Sequence, residues 1–360
     1  MSINTLLDSS SFTKQDIITL LQAEGEDRAA LFTKSAEIKR EYVGNKVYFR
    51  GLLEYSNICK KDCYYCGIRG SNHNTNRYTM TEEEVLEAVQ YAHSERFASL
   101  VIQSGEVSNP EFVHKITALL LKIREITNNE MGVTLSLGEQ SRETLLEWRE
   151  AGARRYLLRI ESSNQELYSK IHPQNKTHDY QNRLASIHLL RETGYQVGSG
   201  VMIGLPFQTV EHLADDLIFL RDLDIDMVGM GPYVEHQDTP LYQYKDTLWP
   251  QTRRFDLTLK MISILRIMMK DINIAATTAL QAIDGTGREK ALKVGANIMM
   301  PNLTPVKYRR NYLLYEDKPC VDEEAFECKT CLEARIHLAG DVIGYGEWGD
   351  SKHFARLKKK

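Results

Sequence analysis

Residues 142–160 read Arg142-Glu143-Thr144-Leu145-Leu146-Glu147-Trp148-Arg149-Glu150-Ala151-Gly152-Ala153-Arg154-Arg155-Tyr156-Leu157-Leu158-Arg159-Ile160. A helical pattern runs over Arg142–Glu150, Glu150-Ala151-Gly152 closes it, and a β-rich run, Arg155–Ile160, follows at once. Glycine takes the left-handed conformation cheaply, so Gly152 ends a helix and turns the chain into a strand. Glu192-Thr193-Gly194 and Lys293-Val294-Gly295 repeat this punctuation, each just before another apolar run. Strands are expected at Val47–Tyr55, Ser99–Gln103, Gly132–Leu137, Arg155–Ile160, Gln196–Ile203, Asp226–Met230, Ile272–Thr278 and Asn297–Met300. The intervening helices are expected at Thr81–Ser94, Pro110–Thr127, Arg142–Glu150, Tyr180–Glu192, Val210–Leu223, Thr252–Lys270 and Gly287–Lys293. Thr81 with Glu84 forms a capping box, and Ser141 with Thr144 is a weaker start.

Such alternation implies a parallel sheet with right-handed crossovers. Eight units close as an α/β (β/α)8 TIM-type barrel with its active site at the C-terminal strand ends. The rival is an open doubly wound sheet, but no Gly-rich dinucleotide fingerprint follows any strand. The expected organisation is an N-terminal helical extension of two helices over residues 1–45, a barrel over 46–301, and a C-terminal extension over 302–360 carrying cysteines. No Pro/Gly/Ser linker separates them, and Lys358–Lys360 reads as a solvated end.

At 360 residues the chain exceeds twice the usual domain length of about 150, and 42% hydrophobic with 26% charged residues is an ordinary globular composition. With 45 Lys+Arg against 49 Asp+Glu the net charge is −4, which gives no reason to expect nucleic acid. No run approaches the roughly 20 apolar residues of a membrane span; Met261–Met269 is short and broken by Arg266. Met1-Ser2-Ile3-Asn4 lacks the basic start of an export signal, so a cytoplasmic protein is expected, with a monomer as the default state.

The six cysteines form two trios, Cys59/Cys63/Cys66 and Cys320/Cys328/Cys331, with none between. This is a pattern of bound metal, not of disulfide staples. Cys59-Lys60-Lys61-Asp62-Cys63-Tyr64-Tyr65-Cys66 directly follows the first strand. A zinc knuckle is the simpler reading, but zinc closes its shell with four ligands. Three thiolates and no fourth ligand leave one iron of a 4Fe-4S cluster open to bind a small molecule.

This C-x3-C-x2-C spacing, with aromatic Tyr65 before the last cysteine, resembles the radical S-adenosylmethionine (SAM) superfamily. The resemblance implies that the open iron binds SAM, and that one electron cleaves it to methionine and a 5′-deoxyadenosyl radical. Gln103-Ser104-Gly105-Glu106 resembles the superfamily's Gly-Glu motif, against the plain alternative of a turn. Arg159-Ile160-Glu161 ends the fourth strand, where charges point into the barrel mouth. There Arg159 could meet a carboxylate and Glu161 a ribose or ammonium group; the alternative is an Arg–Glu rim pair.

A narrower resemblance, to the FeFe-hydrogenase maturases called HydE, runs over most of residues 30–335. It rests on Arg50, Glu54-Tyr55-Ser56-Asn57, Thr134-Leu135-Ser136-Leu137-Gly138-Glu139, Arg155-Tyr156-Leu157-Leu158-Arg159, Asn182-Arg183, Gly204-Leu205-Pro206, Asp226-Met227-Val228-Gly229, Ala276-Thr277-Thr278 and Gly295-Ala296-Asn297. It implies that Tyr65, Gly105, Glu106, Ser136, Glu161, Arg183 and Met202 surround SAM. It further implies that Arg50, Gln103, Thr134, Arg155, Arg159, Thr277, Thr278, Tyr312 and Tyr315 line an internal cavity. For Thr277-Thr278 the plain alternative is β-propensity. Phe207 departs from the pattern, standing where these maturases often have glycine.

The second trio matches one that holds an accessory 2Fe-2S or 4Fe-4S cluster in some of these maturases and is missing from others; zinc is the alternative. The resemblance also implies oxygen-sensitive chemistry on a cysteine-bound iron carbonyl cyanide complex, a reduced ferredoxin or flavodoxin as electron donor, and sister maturases as partners. Biotin synthase, a relative, takes sulfur from a cluster held inside its barrel, and no cysteine lies between Cys66 and Cys320 to hold one. Two alternatives stand: a methylornithine synthase-like lysine mutase, and a non-catalytic Fe–S scaffold.

Overall fold

The structure, a computed structural model, describes residues 3–9 and 11–358. Met1 and Ser2 of the expected N-terminus, and Lys359 and Lys360 of the expected basic end, lie outside them. Seven parallel strands stand side by side in chain order: Gly51–Ser56, Ser99–Ser104, Gly132–Ser136, Ala153–Leu157, Gln196–Ser199, Met227–Val228 and Asn273–Ile274. The eighth, Ile298–Met299, closes the ring. It pairs with Lys46–Phe49, the first half of strand one, and bridges Ala275 on its other side. A doubly wound sheet would instead reverse its strand order at the centre, so the barrel is the fold.

Gly152, Gly194 and Gly295 have φ of +125°, +84° and +139°, the helix exits that the punctuation required. The seven crossover helices, Glu82–Ser94, Pro110–Ile126, Arg142–Ala151, Tyr180–Glu192, Val210–Asp222, Gln251–Met268 and Gly287–Lys293, fall within two residues of expectation. Thr81 and Glu84 make the capping box, and Ser141 caps the Thr144 amide.

Tertiary contacts correct four details. Three helices precede the barrel instead of two: Ile3–Leu7, Lys14–Gln22 and Gly25–Tyr42. The fifth run breaks at Gly200, where a Cβ would lie 1.9 Å from the Gly229 oxygen. Beyond that crowding, Met202–Ile203 pairs with Gly231–Pro232 as a separate small sheet. The seventh strand stops at Ile274, and Thr278 instead opens the helix Thr278–Ile283. The helices Gln165–Ile171 and Ala325–Leu338, and a 3-10 segment at Pro240–Thr247, are not expected from the apolar pattern.

The C-terminal segment closes the barrel floor. Val342–Ile343 adds to Lys46–Val47, and beyond it Gly349 O accepts from Arg50 Nη2 (3.2 Å) and Asn273 Nδ2 (2.8 Å). Arg155, fully buried, pairs with Asp350 and donates to Thr134 Oγ1 and Gly132 O, both at 2.9 Å, and to Ser99 Oγ. The following helix, Lys352–Leu357, is held by His353, which meets Asp224 Oδ1 at 2.8 Å and Asp271 Oδ1 at 3.2 Å. Hydrogen bonding to Asp271, helped by the charge of Asp224 and opposed by burial, raises the His353 pKa. A raised folded-state value stabilises fully below the unfolded pKa of roughly 6.5 and fades as pH climbs through the folded value. His353→Gln is therefore expected to cost more thermal stability at pH 6 than at pH 8; equal losses would remove His353 as the cause.

Candidate active site

At the C-terminal end of strand one the chain enters the loop 57–79, which carries the first cysteine trio. Its shape depends on Arg77. That guanidinium donates to four carbonyls: Asn57 (2.7 Å) and Ile68 (2.8 Å) through Nη1, and Arg69 (2.6 Å) and Asn72 (2.8 Å) through Nη2. Asn57, wholly buried, ties the same loop to Asn76 O, Asn311 O and Tyr78 N. From the other side Ile171 O accepts from Tyr64 N (3.0 Å), and His178 Nε2 accepts from Asp62 N (2.9 Å).

Cys59, Cys63 and Cys66 all line one cavity of about 380 Å³ that runs into the barrel. Burial pushes all three thiols up, Cys63 to about 12, and neighbouring thiolates reinforce the shift at Cys63 and Cys66. Among the described residues no three such side chains already stand at single-ion spacing, but three thiols on one cavity wall, kept neutral by burial, suit a larger cationic centre that would stabilise the thiolates. The donor set, three sulfurs with no fourth assigned, fits a cluster with one open iron.

Gly105, at the end of the second strand, presses against this loop. A Cβ there would lie 2.3 Å from Ile58 O and 2.8 Å from Cys59 Cβ, so only glycine fits without a shift. The next amide, Glu106 N, points at Cys59 Sγ (3.3 Å), while Glu106 O accepts from Lys60 N (3.0 Å). The Glu106 carboxylate is buried beside Lys61 (3.1 Å) and Arg183 (3.4 Å), both of which also pair with Glu139, at 3.1 and 2.9 Å. Gly138 makes room for it, since a Cβ there would meet Glu106 Cγ at 2.0 Å. Burial raises the Glu106 pKa against the pull of Arg183 and Lys61.

Tyr65 OH and His172 Nε2 lie 3.2 Å apart, and Tyr168 stacks on His172. Burial lowers His172 to about 3 and His178 to about 4, so both rings are neutral and act as hydrogen-bonding struts at physiological pH. Ser136 and Met202 line the cavity with Glu161, whose φ of +65° is held by Glu161 N to Gly200 O (3.0 Å) and Met202 N to Glu161 O (3.1 Å).

The expected cavity residues divide. Arg50, Gln103, Thr134, Arg159, Thr277, Thr278, Tyr312 and Tyr315 line the cavity; Arg155 lies at the floor, its donors taken by protein acceptors. Arg159 faces inward but is committed to Glu161 through two bonds (Nε–Oε1 2.7 Å, Nη2–Oε2 2.8 Å) and to Val201 O and Gly229 O. The Arg–Glu pair is thus internal, and Arg159 holds Glu161 instead of standing free for a carboxylate. Thr278 and Tyr315 share a hydroxyl bond of 2.7 Å, whereas Thr277 Oγ1 serves Met230 O (3.2 Å). Phe207 has φ +68°, which explains why glycine suits that position.

Cys320 and Cys328 also line this cavity, so two of the second trio share the space of the first; exposed Cys331 instead accepts from Arg335 Nε (3.2 Å). Pattern reading missed Arg77, Lys61, Arg288 and the buried Lys318–Glu54 ion pair that seals one wall. Only the Lys61 position within the cysteine loop offered a signal.

A model of the radical SAM superfamily matches residues 53–220. The chain is 43% identical to the [FeFe] hydrogenase maturase subunit HydE of Thermotoga maritima over 96% of each chain. This chain belongs to the HydE family of radical SAM enzymes. It is also 26% identical to the 3-methylornithine synthase of Methanosarcina acetivorans over 82% of this chain and 80% of that one. The crystal structure of methylornithine synthase (PylB) shares the fold, with a TM-score of 0.79 over 99% of both chains at 23% identity. Membership implies a 4Fe-4S cluster and SAM, which the donor set and the enclosed cavity fit. Among the described residues no helix is long and apolar enough to cross a membrane.

Replacing Arg77 by Gln removes a cation that gathers four carbonyls, and each lost bond is worth about 1 kcal/mol. Reconstituted R77Q is expected to hold less than half the wild-type iron of the first trio while far-UV circular dichroism stays unchanged. Full iron content would show that the clamp is dispensable.

Proposed function

We propose that this enzyme acts in the maturation of [FeFe] hydrogenase, on a cysteine-bound iron carbonyl cyanide precursor enclosed in the barrel. The reading is supported above all by the 43% identity to a hydrogenase maturase subunit over nearly the whole chain. It is also supported by a cavity that joins the cysteine loop to an interior lined by arginine, threonine and tyrosine. When bound, the cluster and SAM supply a 5′-deoxyadenosyl radical by one-electron cleavage of the sulfonium C–S bond.

In this reading Cys59, Cys63 and Cys66 hold the 4Fe-4S cluster. The Gly105–Glu106 edge, Tyr65, Ser136, Glu161, Arg183 and Met202 surround SAM. Lys61 and Arg183 keep Glu106 oriented, and Arg159 fixes Glu161 toward the cavity. Gln103, Thr134, Thr277, Thr278, Tyr312 and Tyr315, with Arg50 below, receive the substrate and exclude water from the reacting atoms, while Arg155 braces the floor beneath them. Cys320, Cys328 and Cys331 hold an accessory 2Fe-2S or 4Fe-4S cluster without a part in SAM cleavage. Reduced ferredoxin or flavodoxin supplies the electron, sister maturases exchange the complex, and the enzyme works in the cytoplasm as a monomer without nucleic acid.

Methylornithine synthase-like chemistry on lysine is the second reading, favoured by the shared fold and a cavity of amino-acid size. Anaerobic reconstituted protein, treated with dithionite and SAM, is expected to yield 5′-deoxyadenosine. Cys63→Ala should lose at least 95% of that product and Cys328→Ala should keep most of it. An active Cys63→Ala would overturn the site assignment, and absence of product from wild type with an intact cluster would favour a scaffold. Consumption of lysine with formation of methylornithine would instead select the second reading.

A further inference from the structure

Glu161 holds a left-handed backbone angle, φ +65°, that a residue with a Cβ enters only at a cost. On one side the turn is pinned by the next strand: Glu161 N donates to Gly200 O and Glu161 O accepts from Met202 N. On the other side stand Ser162, Ser163 and Asn164, which lead into the helix Gln165–Ile171. Ser162 is wholly buried, and its Oγ accepts from Asn164 N (3.3 Å). Ser163 is held at three atoms. Its N and Oγ donate to Asp216 Oδ1 (2.7 and 2.6 Å), and its O accepts from Tyr180 OH (2.7 Å).

Asp216 lies on the helix Val210–Asp222 and is wholly buried. It has no ion pair among the described residues, and its Oδ2 is enclosed without a hydrogen-bond partner. Burial raises its pKa to about 7 against the pull of the Ser163 donors, and the charge of Glu161 adds to the rise. By contrast Glu54, Glu106 and Glu161, which line the cavity, each meet an arginine or lysine. A buried carboxylate without a cation is costly, so a fold retains one where its hydrogen bonds matter. Both bonds that Asp216 accepts fall on Ser163, two positions beyond Glu161.

We propose that Asp216 is a positioning residue for Glu161: by fixing Ser163 it holds the strained turn that presents the Glu161 carboxylate to SAM. Arg159 and Asp216 divide the work, since Arg159 grips the carboxylate and Asp216 grips the backbone just beyond it. Asp216 does not itself line the cavity, so it acts through the turn and not by touching a ligand. The inference rests on the assignment of Glu161 to SAM made above.

The test measures SAM binding by calorimetry on full-length, cluster-reconstituted protein, anaerobically and without reductant, with iron content and Tm read on the same samples. Asp216→Ala is expected to weaken SAM binding about tenfold while iron content stays at the wild-type level. Asp216→Asn keeps an oxygen for Ser163 and is expected to lose only about threefold, since a neutral oxygen accepts the same bonds less strongly. Unchanged affinity in D216A with a lowered Tm would mark a merely structural carboxylate and overturn the proposal. Iron lost together with SAM would mean that Asp216 acts through the cysteine loop, and equal losses in both variants would mean that charge matters and the hold on Ser163 does not; either would overturn it. Glu161→Ala separates this proposal from the reading beneath it. Unchanged SAM affinity in E161A would remove the assignment of Glu161, whereas weakened binding in E161A but not in D216A would remove only the role of Asp216. The double variant is expected to bind no more weakly than E161A, and additive losses would show that Asp216 acts elsewhere. Should D216A not fold, Ser163→Ala removes one of the two bonds and is expected to cost about threefold in affinity, with full affinity counting against the proposal.

Discussion

Everything in this molecule hangs on the closing of an eight-strand ring, and the seam is drawn by one wholly buried side chain, Asn297. Its backbone oxygen accepts from Tyr48 N (3.0 Å) in strand one, and its amide donates to Ile274 O (2.9 Å) in strand seven. Its side chain accepts from Ile274 N (2.9 Å) and Arg266 Nη2 (3.2 Å) and donates to Asn273 Oδ1 (2.8 Å). The last strands are only two residues long, so side-chain hydrogen bonds supply what a short ladder cannot. With the seam closed, the strand ends converge, and the cysteine loop, Glu106, Glu161 and the two threonines face one cavity.

The same closure makes charge the governing cost of the interior. The barrel satisfies its arginines in layers. At the floor Asp350 meets Arg155; in the middle Glu161 meets Arg159; at the mouth Glu106 and Glu139 share Lys61 and Arg183. These pairs do more than neutralise. They fix the direction of carboxylates that face the cavity, so the groups are oriented before any ligand arrives. Arg50, Arg266, Arg288 and Arg309 lie outside this layering, buried without an ion pair among the described residues.

Much of this was legible in the residues. The helix–glycine–strand punctuation located the crossover helices, because capping chemistry is local. The cysteine spacing marked the loop, because three ligands of one centre can be close in sequence. The residues that shape that loop were harder to see: Arg77 works through carbonyls that any residue could supply. The floor was invisible for a related reason: Asp350 and Arg155 are far apart in sequence, and Arg155 is expected in the cavity lining, with no sign that Asp350 would claim it.

By itself the sequence determined the alternation of strands and helices, the two cysteine trios, and the absence of cysteines between them. These follow from local backbone preferences and side-chain chemistry that need no fold to be read. Only the tertiary structure decided that the first trio shares one cavity with Cys320 and Cys328, that Arg155 belongs to the floor, that Arg159 serves Glu161, and that Arg288 has no ion pair among the described residues. Pairing of buried charges depends on which distant residues the closed barrel brings within about 3 Å, and no local pattern encodes that.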